Sequence, residues 1–244
     1  MIPLPTILAG NGSTFFTGCS KTGLPGASVL GMVLLANVLD ATRQSVGVML
    51  PCLIAADVVA VACYRRNTDW KLLLRLLPWT CAGLALGATA LQVIQEEEFA
   101  PILGSLVLGV LLLELLRNQR NWDRIPHHPL MAALLGIAAG FTTTIGNLAG
   151  PLMSLYLLSL GFDKHRFMGS MACFFLIINC LKIPIFVFSD MITPESLLMS
   201  LQFIPGILLG AAAGRWIFLR IPQKPFQLAV QILAGAAAVR LLLS

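Results

Sequence analysis

Three ionisable side chains stand where an apolar chain least tolerates them. Lys21 interrupts the stretch Gly18 to Gly26, reading GCSKTGLPG. Asp57 lies deep in an apolar run from about Arg43 to Tyr64, and Lys182 sits mid-run between Phe167 and Ser189. Asn179 precedes Lys182 by three residues, so the two share one helix face. Charge at membrane depth is costly unless it meets water, a partner or an ionic ligand, and it therefore marks a site by default. A second polar stretch, Gly140 to Pro151, reads GFTTTIGNLAGP. The chemistry these residues suit is the holding of a small anion. Lys21 and Lys182 would supply charge. Ser20, Thr22, Thr143, Thr144, Asn147 and Asn179 would bring hydroxyl or amide groups, and Gly23 and Gly146 would let backbone N–H groups approach. Each cation also has a plainer reading: Lys21 could snorkel to the interface, and Lys182 could pair with Asp57 only to hold the fold. Asp57 is either a proton-coupling carboxylate or a structural counter-ion.

No other chemistry competes with this one. The three histidines, His127, His128 and His165, fall in loops beside cations, and no G-x-S-x-G or H-E-x-x-H pattern occurs. The six cysteines show no C-x-x-C pair and read as packing residues. Neither catalysis, nor a metal, nor a cofactor is expected. The +5 net charge comes from short clusters between apolar runs rather than from a basic stripe, so nucleic acid is not an expected partner. The expected partners are a small anion and the lipid bilayer, and oligomeric state stays open.

The elements that must position these groups are membrane helices. The chain has 244 residues, 57% apolar and only 11% charged, with a mean hydropathy of +0.86; a soluble domain carries about 25% charged residues. No basic leader precedes the first apolar piece, so no signal peptide is expected. The apolar pieces from about Pro5 to Gly18, Ala27 to Leu39, Leu130 to Thr144 and Pro151 to Phe162 are short of the roughly 20 residues a crossing needs. Runs at about Arg43–Tyr64, Leu72–Ile94, Phe99–Leu116, Phe167–Ser189, Leu197–Phe218 and Phe226–Leu243 have the length. Gly140, Gly146, Gly150 and Pro151 are expected to break the helix in the second polar stretch, as Gly18 to Gly26 would in the first. Irregular backbone at this depth is tolerated where it is packed in protein or lines a wet cavity.

The two halves correspond at an offset of 122 residues: Gly18 with Gly140, Gly47 with Gly169, Asp57 with Asn179, Tyr64 with Phe186. Positive charge then chooses between topologies. If both broken pieces crossed, Lys and Arg would divide between the two faces. If both are re-entrant hairpins, the turns at Arg65, Arg117, Lys164 and Arg215 to Lys224 all fall on one side, which positive-inside bias makes cytoplasmic. The expected fold is an all-α membrane protein of six full spans and two broken re-entrant hairpins. It is one transporter domain built as an inverted repeat, residues 1–122 and 123–244. Arg43 and Arg166 would be interfacial anchors.

From Gly140 to Pro184 the sequence resembles the TauE/SafE family of sulfite and organosulfonate exporters. The likeness rests on Gly150-Pro151, on Lys164 to Phe167, and on Phe174-Phe175 through Asn179 to Lys182, with Lys21 to Gly26 and the span of Pro51 and Asp57 in the first half. The pattern departs at Asn147-Leu148, where many members carry further glycine. The resemblance implies export of sulfite or an organosulfonate such as sulfoacetate across a bacterial cytoplasmic membrane; alternating access would follow from one bundle rocking or sliding against the other. An anion channel, and a membrane subunit relaying sulfur from thiosulfate-like anions past cysteines, remain as alternatives. In a cysteine-free background, Asn118→Cys should react only with a reagent applied from the cytoplasmic side; labelling from outside would overturn the topology.

Overall fold

A computed structural model describes residues 3–24, 27–39, 42–120 and 129–220, and these are helical throughout apart from short turns. The helices are α1 (Leu4–Thr22), α2 (Ala27–Leu39), α3 (Thr42–Tyr64), α4 (Trp70–Val93), α5 (Glu96–Arg120), α6 (Pro129–Gly146), α7 (Ala149–Ser159), α8 (Lys164–Phe188) and α9 (Pro194–Arg220). Among the described residues, four segments are long and apolar enough to cross a membrane: Arg43–Asn67, Trp70–Val93, Lys164–Phe188 and Pro194–Arg220. The expected span Phe99–Leu116 lies within α5. The expected span Phe226–Leu243, along with Lys224, His127 and His128, lies outside the described residues.

Both expected breaks are shorter than the sequence indicates. Helix α1 continues through Gly18 and carries Ser20, Lys21 and Thr22 in its last turn. Helix α6 continues through Gly140 to Gly146, leaving Asn147 and Leu148 as the interruption before α7. Threonine runs fold as helix here because each hydroxyl bonds back one turn, Thr142 to the Ala138 carbonyl and Thr144 to that of Gly140, both at 2.8 Å. The reversal falls on Asn147, whose φ of 56° is the left-handed conformation that asparagine tolerates better than other non-glycine residues. Pro151 does not end a helix. It sits in the first turn of α7, where its missing N–H would have had no intrahelical partner.

Gly18 and Gly140 therefore serve packing rather than bending. A Cβ on Gly18 would strike the Ile207 carbonyl of α9, and one on Gly140 would strike the Thr80 carbonyl of α4. Helix α9 answers with Gly206, Gly210 and Gly214, each set against α1 backbone at Asn11, Phe15 or Cys19. Spacing of four residues on both helices is the small-residue face that lets membrane helices close without hydrophobic drive. Polar clasps add to it: Thr22 Oγ1 donates to the Ala211 carbonyl at 2.6 Å, and the Gly206 N–H donates to Asn11 Oδ1 at 2.7 Å. Helices α1 and α2 lie side by side in opposite directions, with the Ser13 hydroxyl donating to the Gly31 carbonyl.

Helices α3 and α8 run antiparallel through the centre. Gly47, early in α3, tucks under Met191 after α8; Gly169, early in α8, tucks under Tyr64 and Asn67 at the end of α3. The turn after α3 is a short 3-10 helix, Arg65–Asn67. It is followed by Asp69, which caps α4 through Leu72 N at 3.0 Å and also pairs with Arg166 of α8. The Leu72 N–H and the Arg166 guanidinium hold the Asp69 carboxyl below the usual carboxylate range. Arg166 is thus an ion-pair partner at the rim. Arg43 donates to the Leu91 and Ile94 carbonyls and lies 5.7 Å from the Phe99 ring.

Gly140→Val should separate α6 from α4 and lower the unfolding temperature in detergent, at a cost of about 1–3 kcal/mol or more. Gly12→Ala, where a Cβ meets nothing within 4 Å, should leave stability unchanged. Equal effects of the two would show that close glycine packing is not what joins these helices.

Candidate anion site

The crossing of α3 and α8 brings Asp57 and Asn179 together. Asn179 Nδ2 donates to Asp57 Oδ2 at 2.6 Å, and both residues are almost fully buried. Lys21, from the last turn of α1, places Nζ 2.8 Å from the other carboxylate oxygen. The same ammonium lies 4.0 Å from the centre of the Phe175 ring on α8, within cation–π reach. One helix turn beyond Asn179, Lys182 Nζ donates to the Thr143 carbonyl and to Thr143 Oγ1, both at 3.1 Å, and to Asn147 Oδ1. Lys182 is fully buried. A buried lysine needs such a cage, because an unpaired ammonium in low dielectric is far more costly than one in water.

A cavity opens beside these groups. Ser20 and Lys21 reach it from α1, Ser28 from α2, Leu53 and Asp57 from α3, Thr143 from α6, and Asn147 and Gly150 from the second break and α7. Helix α8 contributes Met168, Met171, Ala172, Phe175 and Asn179. Its volume is about 30 Å³ for the centres of water-sized spheres. One water needs about 10–15 Å³ on that measure, so the space suits two or three waters or one compact oxyanion. Ser28 and Gly150 stand in the first turns of α2 and α7, and a Cβ on Gly150 would lie 3.4 Å from Ser28 Oγ. Two helix N-termini therefore meet at the cavity, and a helix N-terminus carries partial positive charge.

Of the residues expected at the site, Ser20, Lys21, Asp57, Thr143, Asn147 and Asn179 line the cavity, and Lys182 grips two of them from behind. Four stand elsewhere. Thr22 turns to Ala211 on α9, and Gly23 packs against the Gly214 carbonyl. Thr144 bonds back along α6 and faces Gly87 of α4, while Gly146 faces Leu103 of α5. The reason is helical: with α1 and α6 extended, neighbours in sequence fall on different faces. Sequence reasoning did not single out Ser28, Leu53, Met168, Met171 or Ala172 as lining. Only Phe175 and Gly150 stood in motifs. Methionine and leucine in an apolar run carry no signal that separates cavity wall from core.

A family model described as Sulfite exporter TauE/SafE matches residues 12–241 of the chain. No curated protein and no solved structure matches it. The match covers nearly the whole chain, and the chain belongs to the TauE/SafE sulfite exporter family.

The ion pair generates a stability test. Asp57→Asn strands Lys21 and should cost about 3–5 kcal/mol. Adding Lys21→Met to it should restore a large part of that loss in detergent unfolding, since the double variant no longer leaves the Lys21 ammonium without its carboxylate. Simple additivity of the two single losses would refute the coupling.

Proposed function

We propose that this member of the TauE/SafE family carries a small sulfur-containing anion out of the cell across the cytoplasmic membrane by alternating access. The observation that carries the reading is the buried cavity at the α3–α8 crossing. Lys21, two helix N-termini and several hydroxyls converge on a volume fit for one compact oxyanion, and Lys182 holds Thr143 and Asn147 of its wall from behind. A compact oxyanion such as sulfite suits that volume better than a longer organosulfonate does. Binding sites of secondary transporters recur at repeat interfaces where half-helix ends point at the ligand. An acidic substrate inside a cytoplasm would be drawn by the basic turns expected on that face.

The proposed architecture is an inverted repeat of residues 1–122 and 123–244. In its support, α2 begins at Ala27 and α7 at Ala149, and α3 at Thr42 and α8 at Lys164. Residue pairs at the same spacing touch one another: Asp57 with Asn179, and Ser28 beside Gly150. Residues related by a two-fold axis touch their own counterparts only near that axis, so the cavity would straddle it. The pairing of α1 with α9 and of α4 with α6 would then be one exchange made twice. Rocking about the α3–α8 crossing would expose the cavity alternately to either face, with the hairpin tips at Asn147 and Gly23 as moving parts. A sulfur relay through thiols is disfavoured, because no described residue lining the cavity is a cysteine.

A thermal-shift panel of sulfite, thiosulfate, sulfoacetate, taurine and sulfate on purified protein tests the substrate class. Sulfite should raise the melting temperature most, and Lys182→Ala, which removes charge behind the cavity, should abolish the shift. Saturable counterflow of sulfite in proteoliposomes is expected. Unitary channel currents without saturation would make the protein a channel, and indifference to every anion would end the proposal.

A further inference from the structure

We propose that the cavity takes its oxyanion in the protonated, singly charged form, with the ligand's hydroxyl donating to Asn179 Oδ1. This rests on the anion-transport reading above and narrows it. Asp57 fixes the orientation of the Asn179 amide. A carboxylate oxygen at 2.6 Å can be met only by the amide N–H, so the Nδ2 atom faces Asp57 and Oδ1 must face away. That oxygen is buried and has no hydrogen-bond partner among the described residues, although Asn179 lines the cavity. A buried acceptor left without a donor is costly, and in a native structure it asks for an explanation. The missing partner is a donor.

A fully deprotonated oxyanion cannot be that partner. It presents only acceptors, and an oxygen of its own against Oδ1 would be repelled. An oxyanion bearing one hydroxyl supplies the donor and keeps acceptor oxygens for Lys21 and the Ser20 and Ser28 hydroxyls. The charge balance agrees. The charged groups at the cavity are Lys21 from α1, Asp57 from α3 and, behind its wall, Lys182 from α8; α2, α6 and α7 add none to its lining. Lys21 is balanced by Asp57, whereas the bonds of Lys182 go to neutral oxygens. No second carboxylate lines the cavity among the described residues, so a singly charged anion meets no unmatched negative group there. Hydrogensulfite-type ions, which lose their last proton near neutral pH, have this charge, a hydroxyl and a compact shape. The proton then crosses bound to the substrate, and Asp57 stays a fixed counter-ion in every state.

The test is counterflow of labelled sulfite in proteoliposomes, with equal pH on both sides and several pH values spanning the last dissociation of sulfite. Methanesulfonate, a monoanion without a donor at every pH used, serves as competitor. The half-saturation concentration for total sulfite should rise about tenfold per pH unit above that dissociation, and stay flat when expressed as hydrogensulfite. Methanesulfonate should compete about tenfold more weakly than hydrogensulfite, the worth of one hydrogen bond. Asn179→Leu, which removes Oδ1, should erase that preference, so that the half-saturation of hydrogensulfite and the inhibition constant of methanesulfonate converge; a tenfold preference that survives in this variant overturns the proposal. A half-saturation that falls as pH rises, or methanesulfonate competing as well as hydrogensulfite, overturns the proposal while leaving anion transport standing. Absence of saturable sulfite flux at every pH overturns both.

Discussion

Everything at the centre of this protein depends on keeping one carboxylate buried. Asp57 is sealed between α1, α3 and α8, and it is tolerated there because Lys21 and the Asn179 amide take one oxygen each. That arrangement binds three elements at a point. It fixes the rotation of α3, since the carboxylate must face α8, and the depth of α1, since Lys21 must arrive at the same level. It also fixes the orientation of the Asn179 amide, and through it the polarity of the cavity wall. Lys182 repeats the logic one turn on, with neutral acceptors from α6 and the second break in place of a carboxylate.

Around this polar point the helices are held by close approach. In lipid, greasy surface gives helices no reason to prefer one another, so contact must come from small residues and interhelical hydrogen bonds. The α1–α9 and α4–α6 pairs are both built in this way, with glycine facing backbone carbonyls. Among the described residues, the buried apolar side chains fall into two clusters. One is centred on α1, α2, α3, α5 and α9, and the other on α4, α6, α7 and α8, with Ile185 touching both. The cavity lies at their seam, with Leu53 belonging to one cluster and Met168, Met171 and Phe175 to the other.

The short breaks crowd polar groups together. Each interruption ends one helix and starts another within a few residues, so donors from two directions meet in little space. Asn147 does this twice over. Its left-handed backbone reverses the chain, and its side chain accepts from Lys182 while donating to the Val46 carbonyl at 3.2 Å. Glycine could make the turn but could offer neither bond.

From the letters alone, the four long apolar helices at Arg43–Asn67, Trp70–Val93, Lys164–Phe188 and Pro194–Arg220 were legible, because apolar run length is a property of each segment taken singly. The sequence also marked Lys21, Asp57, Asn179 and Lys182, since an ionisable or amide group in an apolar run is conspicuous wherever it ends up. It could not tell which neighbours of those residues share their face. Thr143 reaches the cavity and Thr144 does not, a difference set by a rotation of about 100° per residue about α6 once that helix runs on to Gly146. Nor could it separate a glycine that breaks a helix from one that lets two helices touch. Gly18 and Gly140 look alike in either role, and only the presence of Ile207 and Thr80 across the interface assigns the second. Pairing is a property of two surfaces, and one strand of letters carries only half of it.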